Sequence, residues 1–120
     1  MIRLLENLPE NVVGVEASGK VTDEDYENVL IPAVRERIEA TGKVRFLYVL
    51  GEDFDGWTLG GMWEDAKFGG SEVKSWERVA IVTDKDWIRH MVKAFAWMLP
   101  GEARVFDLSA RDDATTWLAS

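Results

Sequence analysis

Apolar positions along the chain change their spacing several times, and each change marks a predicted element. Residues 3–6 (Arg-Leu-Leu-Glu) read as a short strand and 12–17 as a second one. Between them, Leu8-Pro-Glu-Asn11 is a turn, because proline presets φ and asparagine tolerates the left-handed region. The chain therefore opens with an antiparallel hairpin. Thr22 is then placed to cap a helix, with Asp23, Glu24 and Asp25 at the positive end of its dipole. Tyr26, Val29, Leu30, Ala33, Val34 and Ile38 recur at helical spacing and form one apolar stripe. Pro32 falls inside that stripe and predicts a kink, and Gly42 suits the position just past the helix end.

Residues 43–50 predict the next strand, whose run Phe46-Leu-Tyr-Val-Leu50 is apolar without alternation, as a strand covered on both faces should be. Residues 58–67 predict a second helix, weakened by Gly60 and Gly61 at about 1 kcal/mol each relative to alanine. A further doubly buried strand is predicted at 78–82. Asp84 is expected to cap a third, strongly apolar helix over 85–99, stopped by Pro100-Gly101. A last strand is expected at 103–108. Ser109 is expected to cap a short terminal helix whose Trp117 and Leu118 pack back. The order ββαβαβαβα predicts an α/β fold: an N-terminal antiparallel hairpin leading into a mostly parallel five-stranded sheet with four helices.

At 120 residues the chain is expected to be a single domain over 1–120. It has no cysteine, which excludes disulfides, thiol redox chemistry and cysteine-bound metal, and it fits a cytoplasmic setting. No apolar stretch is long enough to span a bilayer, and the start does not read as a signal peptide. The formal net charge of −8 repels phosphate backbones, so nucleic acid is excluded as a partner. The same charge opposes contact with anionic lipid headgroups.

The order of elements is that of the STAS domain, the fold of the sporulation anti-sigma-factor antagonist SpoIIAA. Two stretches carry a closer likeness: Trp63-Glu-Asp-Ala-Lys67 and Glu77-Arg-Val-Ala-Ile-Val-Thr-Asp-Lys-Asp-Trp87. Both resemble motifs of a bacterial SpoIIAA-like branch often labelled STAS/SEC14-like. The resemblance spans nearly the whole chain. It implies a non-enzymatic domain that binds lipophilic ligands or membranes. Regulatory STAS domains carry a phosphorylatable serine where the helix after the third strand begins. This chain has Asp53-Phe-Asp-Gly-Trp-Thr58 there, with Thr58 as its only hydroxyl, which argues against a phosphorylation switch.

Residues 51–70 concentrate the chemistry. Six of the ten glycines fall there, together with Phe54, Trp57, Trp63 and Phe68. Glycine loosens a backbone, whereas large aromatics bury area. The segment follows a strand, where open α/β sheets place their binding crevices. Two readings stand: a loosely wound but packed helix, or a lid over an apolar ligand. The 85–99 helix adds a second oddity. Ile88, Met91, Val92, Phe95 and Leu99 make an ordinary core stripe, whereas Trp87, Ala94, Trp97 and Met98 lie outside it.

Catalytic and metal constellations fail on spacing. Asp53-x-Asp55-Gly56-x-Thr58 approaches the aspartyl-phosphate motif of haloacid-dehalogenase-like phosphatases, but Trp57 is inserted between glycine and threonine. A calcium loop of the EF-hand type needs Asp at 51 and Glu at 62, where Gly51 and Met62 stand. His90 is the only histidine and has no partners for zinc. No catalytic residue, metal or cofactor is assigned.

The expectation is a non-enzymatic binding protein for a lipid or other apolar small molecule. The pocket is placed between the second and third predicted helices, lined by Phe54, Trp57, Leu59, Met62, Trp63, Trp87, Met91 and Phe95. Trp97 and Met98 are expected to form a dimer or partner surface, with a homodimer as the simplest cover. Membrane contact is a weaker variant. The alternative is a protein-interaction module resembling an anti-sigma-factor antagonist.

Overall fold

The computed structural model describes residues 1–61, 75–95 and 101–120, with the side chain of Phe95 excepted. Five strands form one sheet: β1 (Ile2–Leu4), β2 (Val12–Val21), β3 (Val44–Trp57), β4 (Trp76–Val82) and β5 (Glu102–Phe106). They lie in the order β1-β2-β3-β4-β5. β1 runs antiparallel to β2, with Ile2 opposite Ala17, and every other neighbouring pair is parallel. This is the mixed sheet that the element order predicts.

The apolar run of β3 is explained by its two covered faces. Phe46, Tyr48 and Leu50 belong to one core cluster, with Val15, Tyr26, Leu30, Val34 and Ile88. Leu47 and Val49 belong to the other, with Ala80, Val82, Ala114 and Leu118. Successive side chains of a strand point to opposite faces, so a strand buried on both sides has no polar alternation to show. Among the described helices, α2 (Ile31–Thr41) and α3 (Asp86–Phe95) share the first cluster, and α4 (Arg111–Ala119) packs on the second, with Leu5 and Leu8 beside it.

The first helical run begins as its sequence dictates. Thr22 sits in extended backbone, and its hydroxyl accepts the Asp25 N–H at 3.2 Å. The Asp25 carboxylate accepts the Thr22 N–H in return at 2.9 Å, completing a capping box around α1 (Asp23–Asp25). Pro32 acts one step earlier than a simple kink. A π-helical turn, Tyr26–Leu30, precedes it, and the Ile31 N–H reaches back to the Tyr26 carbonyl. Pro32 then occupies the first turn of α2, where a missing N–H costs nothing. Gly42 closes α2 in the left-handed region at φ 81°, its N–H bonded to the Ile38 carbonyl at 2.7 Å.

Three local expectations are corrected. β3 extends through residues 51–57, beyond the predicted end at 50, because Phe54 and Trp57 continue its pairing with Gly19 and Val21 across two register shifts. Asp84 does not cap α3. Its carboxylate accepts the Leu108 N–H at 2.9 Å, and the neighbouring Thr83 hydroxyl takes the Lys85 N–H at 3.1 Å. Ser109 does not cap the last helix either. It lies inside a 3-10 turn, Leu108–Ala110, and α4 starts from Ala110 without a side-chain cap.

The far end of α4 is held by the sheet. Arg45 donates to the Leu118 carbonyl at 2.6 Å, and Arg78 to that of Trp117 at 2.7 Å. Two guanidiniums on neighbouring strands thus satisfy the carbonyls that a helix leaves unpaired, at the negative end of its dipole.

Candidate aromatic binding site

The extension of β3 brings Trp57 over the end of the first core cluster. Its indole N–H donates to the Tyr26 hydroxyl at 3.0 Å and to the Tyr48 hydroxyl at 3.2 Å. The two hydroxyls are 3.0 Å apart. Tyr26 comes from the π-helical turn and Tyr48 from the buried half of β3, so three elements meet in one polar knot within an apolar core. Buried hydroxyl and indole groups need such partners.

Ring contacts lead outward from this knot. Phe54 meets Trp57 edge-to-face at a centroid distance of 4.9 Å. Trp57 meets Trp87 in the same manner at 6.0 Å and 88°. Phe54 is only 3 % exposed, Trp57 is half-buried and Trp87 is 50 % exposed. Met91, one helical turn beyond Trp87, is 38 % exposed, and Leu59 is 87 % exposed. The result is an aromatic path from core to solvent that ends in an exposed apolar surface at the carboxyl ends of the parallel strands.

Phe54, Trp57 and Trp87 are therefore brought together. Phe54 is a core side chain that backs Trp57. Met91 shares the Trp87 side of α3. Leu59 stands in the helical start at 59–61. Met62, Trp63, Trp97 and Met98 lie outside the described residues, and the Phe95 side chain does as well. Tyr26 and Tyr48 were not among the expected site residues. They are the chain's only tyrosines, and each sits at an apolar position of an otherwise apolar pattern. A hydroxyl at a core position demands a partner, which is the signal that points to them.

Thr58 has the role its position predicts. Its hydroxyl accepts the Gly61 N–H at 3.0 Å, a helix cap. Asp23 packs on the same turn, since a Cβ placed on Gly60 would meet its carboxylate carbon at 3.1 Å. Asp86 directly precedes Trp87 and is exposed. Beyond it, Arg89 bonds the Asp107 carboxylate and donates to the Thr83 carbonyl at 3.2 Å. The hydrogen bond to Asp107, with the added charges of Asp107, Asp86 and Asp84, holds this guanidinium above its usual basicity despite some desolvation.

Among the described residues no group of three or more His, Asp or Glu side chains is placed to hold a metal ion. His90 is exposed. No helix among them is long and apolar enough to cross a membrane. A separate cleft of about 400 Å³ lies between α2 and the first hairpin, next to Leu4, Val13, Ala33 and Arg37, away from the expected site residues.

The SpoIIAA-like family model matches residues 12–119. The chain belongs to the SpoIIAA-like family. It is also similar to a crystal structure of an uncharacterised protein from Shewanella loihica PV-4 with a SpoIIAA-like fold. The two are 27 % identical over 98 % of this chain and 93 % of that one, with a TM-score of 0.79. No curated protein matches the chain. This SpoIIAA-like membership agrees with the fold that the two quoted motifs imply.

Proposed function

We propose that this SpoIIAA-like protein is a non-enzymatic, cytoplasmic binding protein that takes a lipid or other apolar small molecule. The ligand lies on the surface of Trp57, Leu59, Trp87 and Met91. The observation that carries the reading is the half-exposed Trp87 set edge-to-face against Trp57, because soluble proteins rarely leave large neighbouring aromatics in water without a use. Trp57 is fixed by two hydroxyls, so the surface is preformed and little ordering is needed on binding. Its place at the carboxyl ends of parallel strands is where open α/β sheets take ligands.

The test is titration with a neutral fluorescent probe, N-phenyl-1-naphthylamine, joined to native mass spectrometry of the protein as purified. Binding by the native protein is expected, and Trp87→Ala is expected to weaken it about tenfold, the loss of one aromatic wall. A native protein that leaves the probe unbound rules the reading out.

The SpoIIAA-like family itself favours a second reading, a protein-interaction module of the anti-sigma-factor-antagonist kind. It would use the same surface, and Thr58 would not switch it, because its hydroxyl is engaged as a cap. A specific co-purified protein released by Trp87→Ala supports this reading. A homodimer through Trp97 and Met98 belongs to the proposal as well, with sedimentation of the wild type and Trp97→Glu as its test.

A further inference from the structure

We infer that the ligand of this surface carries a cationic head, an alkylammonium or similar amine-headed amphiphile, received on the Trp87 face with Asp86 and Asp23 beside it. The inference rests on the binding reading above and adds the ligand's charge to it.

Four observations point the same way. First, the apolar surface is aromatic where it is exposed. An indole face attracts a cation through its quadrupole, most strongly among the aromatic side chains. Trp87 is 50 % exposed and Trp57 meets it at 88°, so the two rings bound a corner.

Second, carboxylates stand on the two chain segments next to that corner. Asp23 lies against the 59–61 turn, and Asp86 adjoins Trp87 in the first turn of α3. Both are exposed, and neither has an ion pair among the described residues. Helix starts favour acids, so each carboxylate also has a local reason to be there. That reason does not remove its charge from the corner.

Third, the cations at this end are few or already engaged. Arg89 is committed to Asp107 and the Thr83 carbonyl. Among the described residues Lys20, Lys85 and Arg111 remain, against Asp23, Glu24, Asp84, Asp86, Asp112, Asp113 and the exposed Asp53 and Asp55 at the end of β3.

Fourth, Arg45, Arg78 and Arg104 are absorbed toward the opposite end of the sheet. Arg45 and Arg78 hold the last carbonyls of α4, and Arg104 stacks 4.8 Å from the centroid of the Trp117 ring. The molecule is polarised along its strands, and the net charge of −8 adds a field that gathers cations. A fatty acid or phosphate-headed lipid would place its charge against that field.

The experiment compares three amphiphiles of one chain length: octyltrimethylammonium, octyl glucoside and octyl sulfate. Each is titrated into the full chain by calorimetry below its micelle concentration, with near-ultraviolet circular dichroism to confirm the fold. The ammonium is expected to bind about tenfold more tightly than the glucoside at low salt, and the sulfate more weakly than either. The advantage should shrink at about 0.5 M salt, where exposed charges are screened within a few ångströms. Asp86→Asn and Asp23→Asn are each expected to weaken the ammonium about twofold to threefold and leave the glucoside unchanged. Trp87→Ala should weaken all three.

Equal affinity for ammonium and glucoside, or tighter sulfate, overturns the cationic head and leaves the binding reading standing. Ammonium binding that survives Trp87→Ala in a folded variant also overturns it, because the charge is then received elsewhere. Binding of none of the three sinks the binding reading itself.

Discussion

The backbone of Gly61 crosses so close to the Val21 carbonyl that a Cβ added there would stand 2.5 Å from its oxygen. The same oxygen accepts the Thr58 N–H at 2.9 Å, so the end of β2 clamps the start of the 59–61 helical turn from two sides. Gly61 is therefore required by close approach. A backbone oxygen in a paired strand cannot move aside cheaply. Gly61→Ala should lose about 1–2 kcal/mol, the usual overpacking penalty less the helix propensity gained. Gly60→Ala meets only the movable Asp23 side chain, at 3.1–3.3 Å, and should be nearly neutral. Urea unfolding of both variants checks this. A stabilised Gly61→Ala would mean that the glycine serves looseness.

Phe54 and Trp87 belong to one aromatic path but should respond oppositely to truncation. Phe54 is 3 % exposed and packs in the main core cluster. Phe54→Ala should cost about 3–5 kcal/mol, as core phenylalanine truncations do. Trp87 is half in water, so Trp87→Ala should cost about 1 kcal/mol in proportion to the smaller area it buries. Thermal or chemical unfolding separates the two. Comparable losses would make Trp87 a packing residue and remove the main reason for a binding surface.

These residues also show what was legible in the chain. Thr22 and Gly42 act through their own neighbours, so cap and left-handed stop are readable locally. The exposure of Trp87 followed from its helical spacing relative to Ile88 and Val92. Residues 51–57 were not readable as strand. Glycines and acids interrupt the apolar run, and the pairing partners, Gly19 and Val21, lie more than thirty positions away. The sequence pattern therefore places Phe54 on a pocket wall, whereas strand alternation turns it into the core. Asp84 does not cap because the contact that decides it is tertiary: the Leu108 N–H, just past the neighbouring strand β5, claims its carboxylate.

The Tyr26–Tyr48–Trp57 knot should behave as a unit. Tyr26→Phe leaves the Tyr48 hydroxyl and the Trp57 indole in the core with one fewer partner. Each Tyr→Phe change should cost about 1–2 kcal/mol, the price of an unmade buried hydrogen bond. The double variant should cost less than the sum of the two, since the second change removes a group already deprived. A double-mutant cycle measures this. Strict additivity would show that the hydroxyls do not act through each other.

Asp25 ties the first helical run to the amino terminus, and its ionisation should set part of the acid stability. Burial raises the carboxyl's pKa, but the Thr22 N–H, the Met1 amine 3.3 Å away and the Thr22 hydroxyl together outweigh it and leave the value lowered. A folded-state pKa below the unfolded one means that the ionised form favours the fold. That contribution is complete above the unfolded value of about 3.9 and is lost as pH falls through the lower folded value. Asp25→Asn removes the titration while keeping the shape. The wild type should exceed it by about 1 kcal/mol near neutral pH, the usual worth of a helix cap. The difference should persist down to pH of about 4 and close below it. Unfolding curves for both proteins across that window test the sign. A gap that closes on raising the pH, or one independent of pH, would show that the carboxylate is not held ionised by these donors.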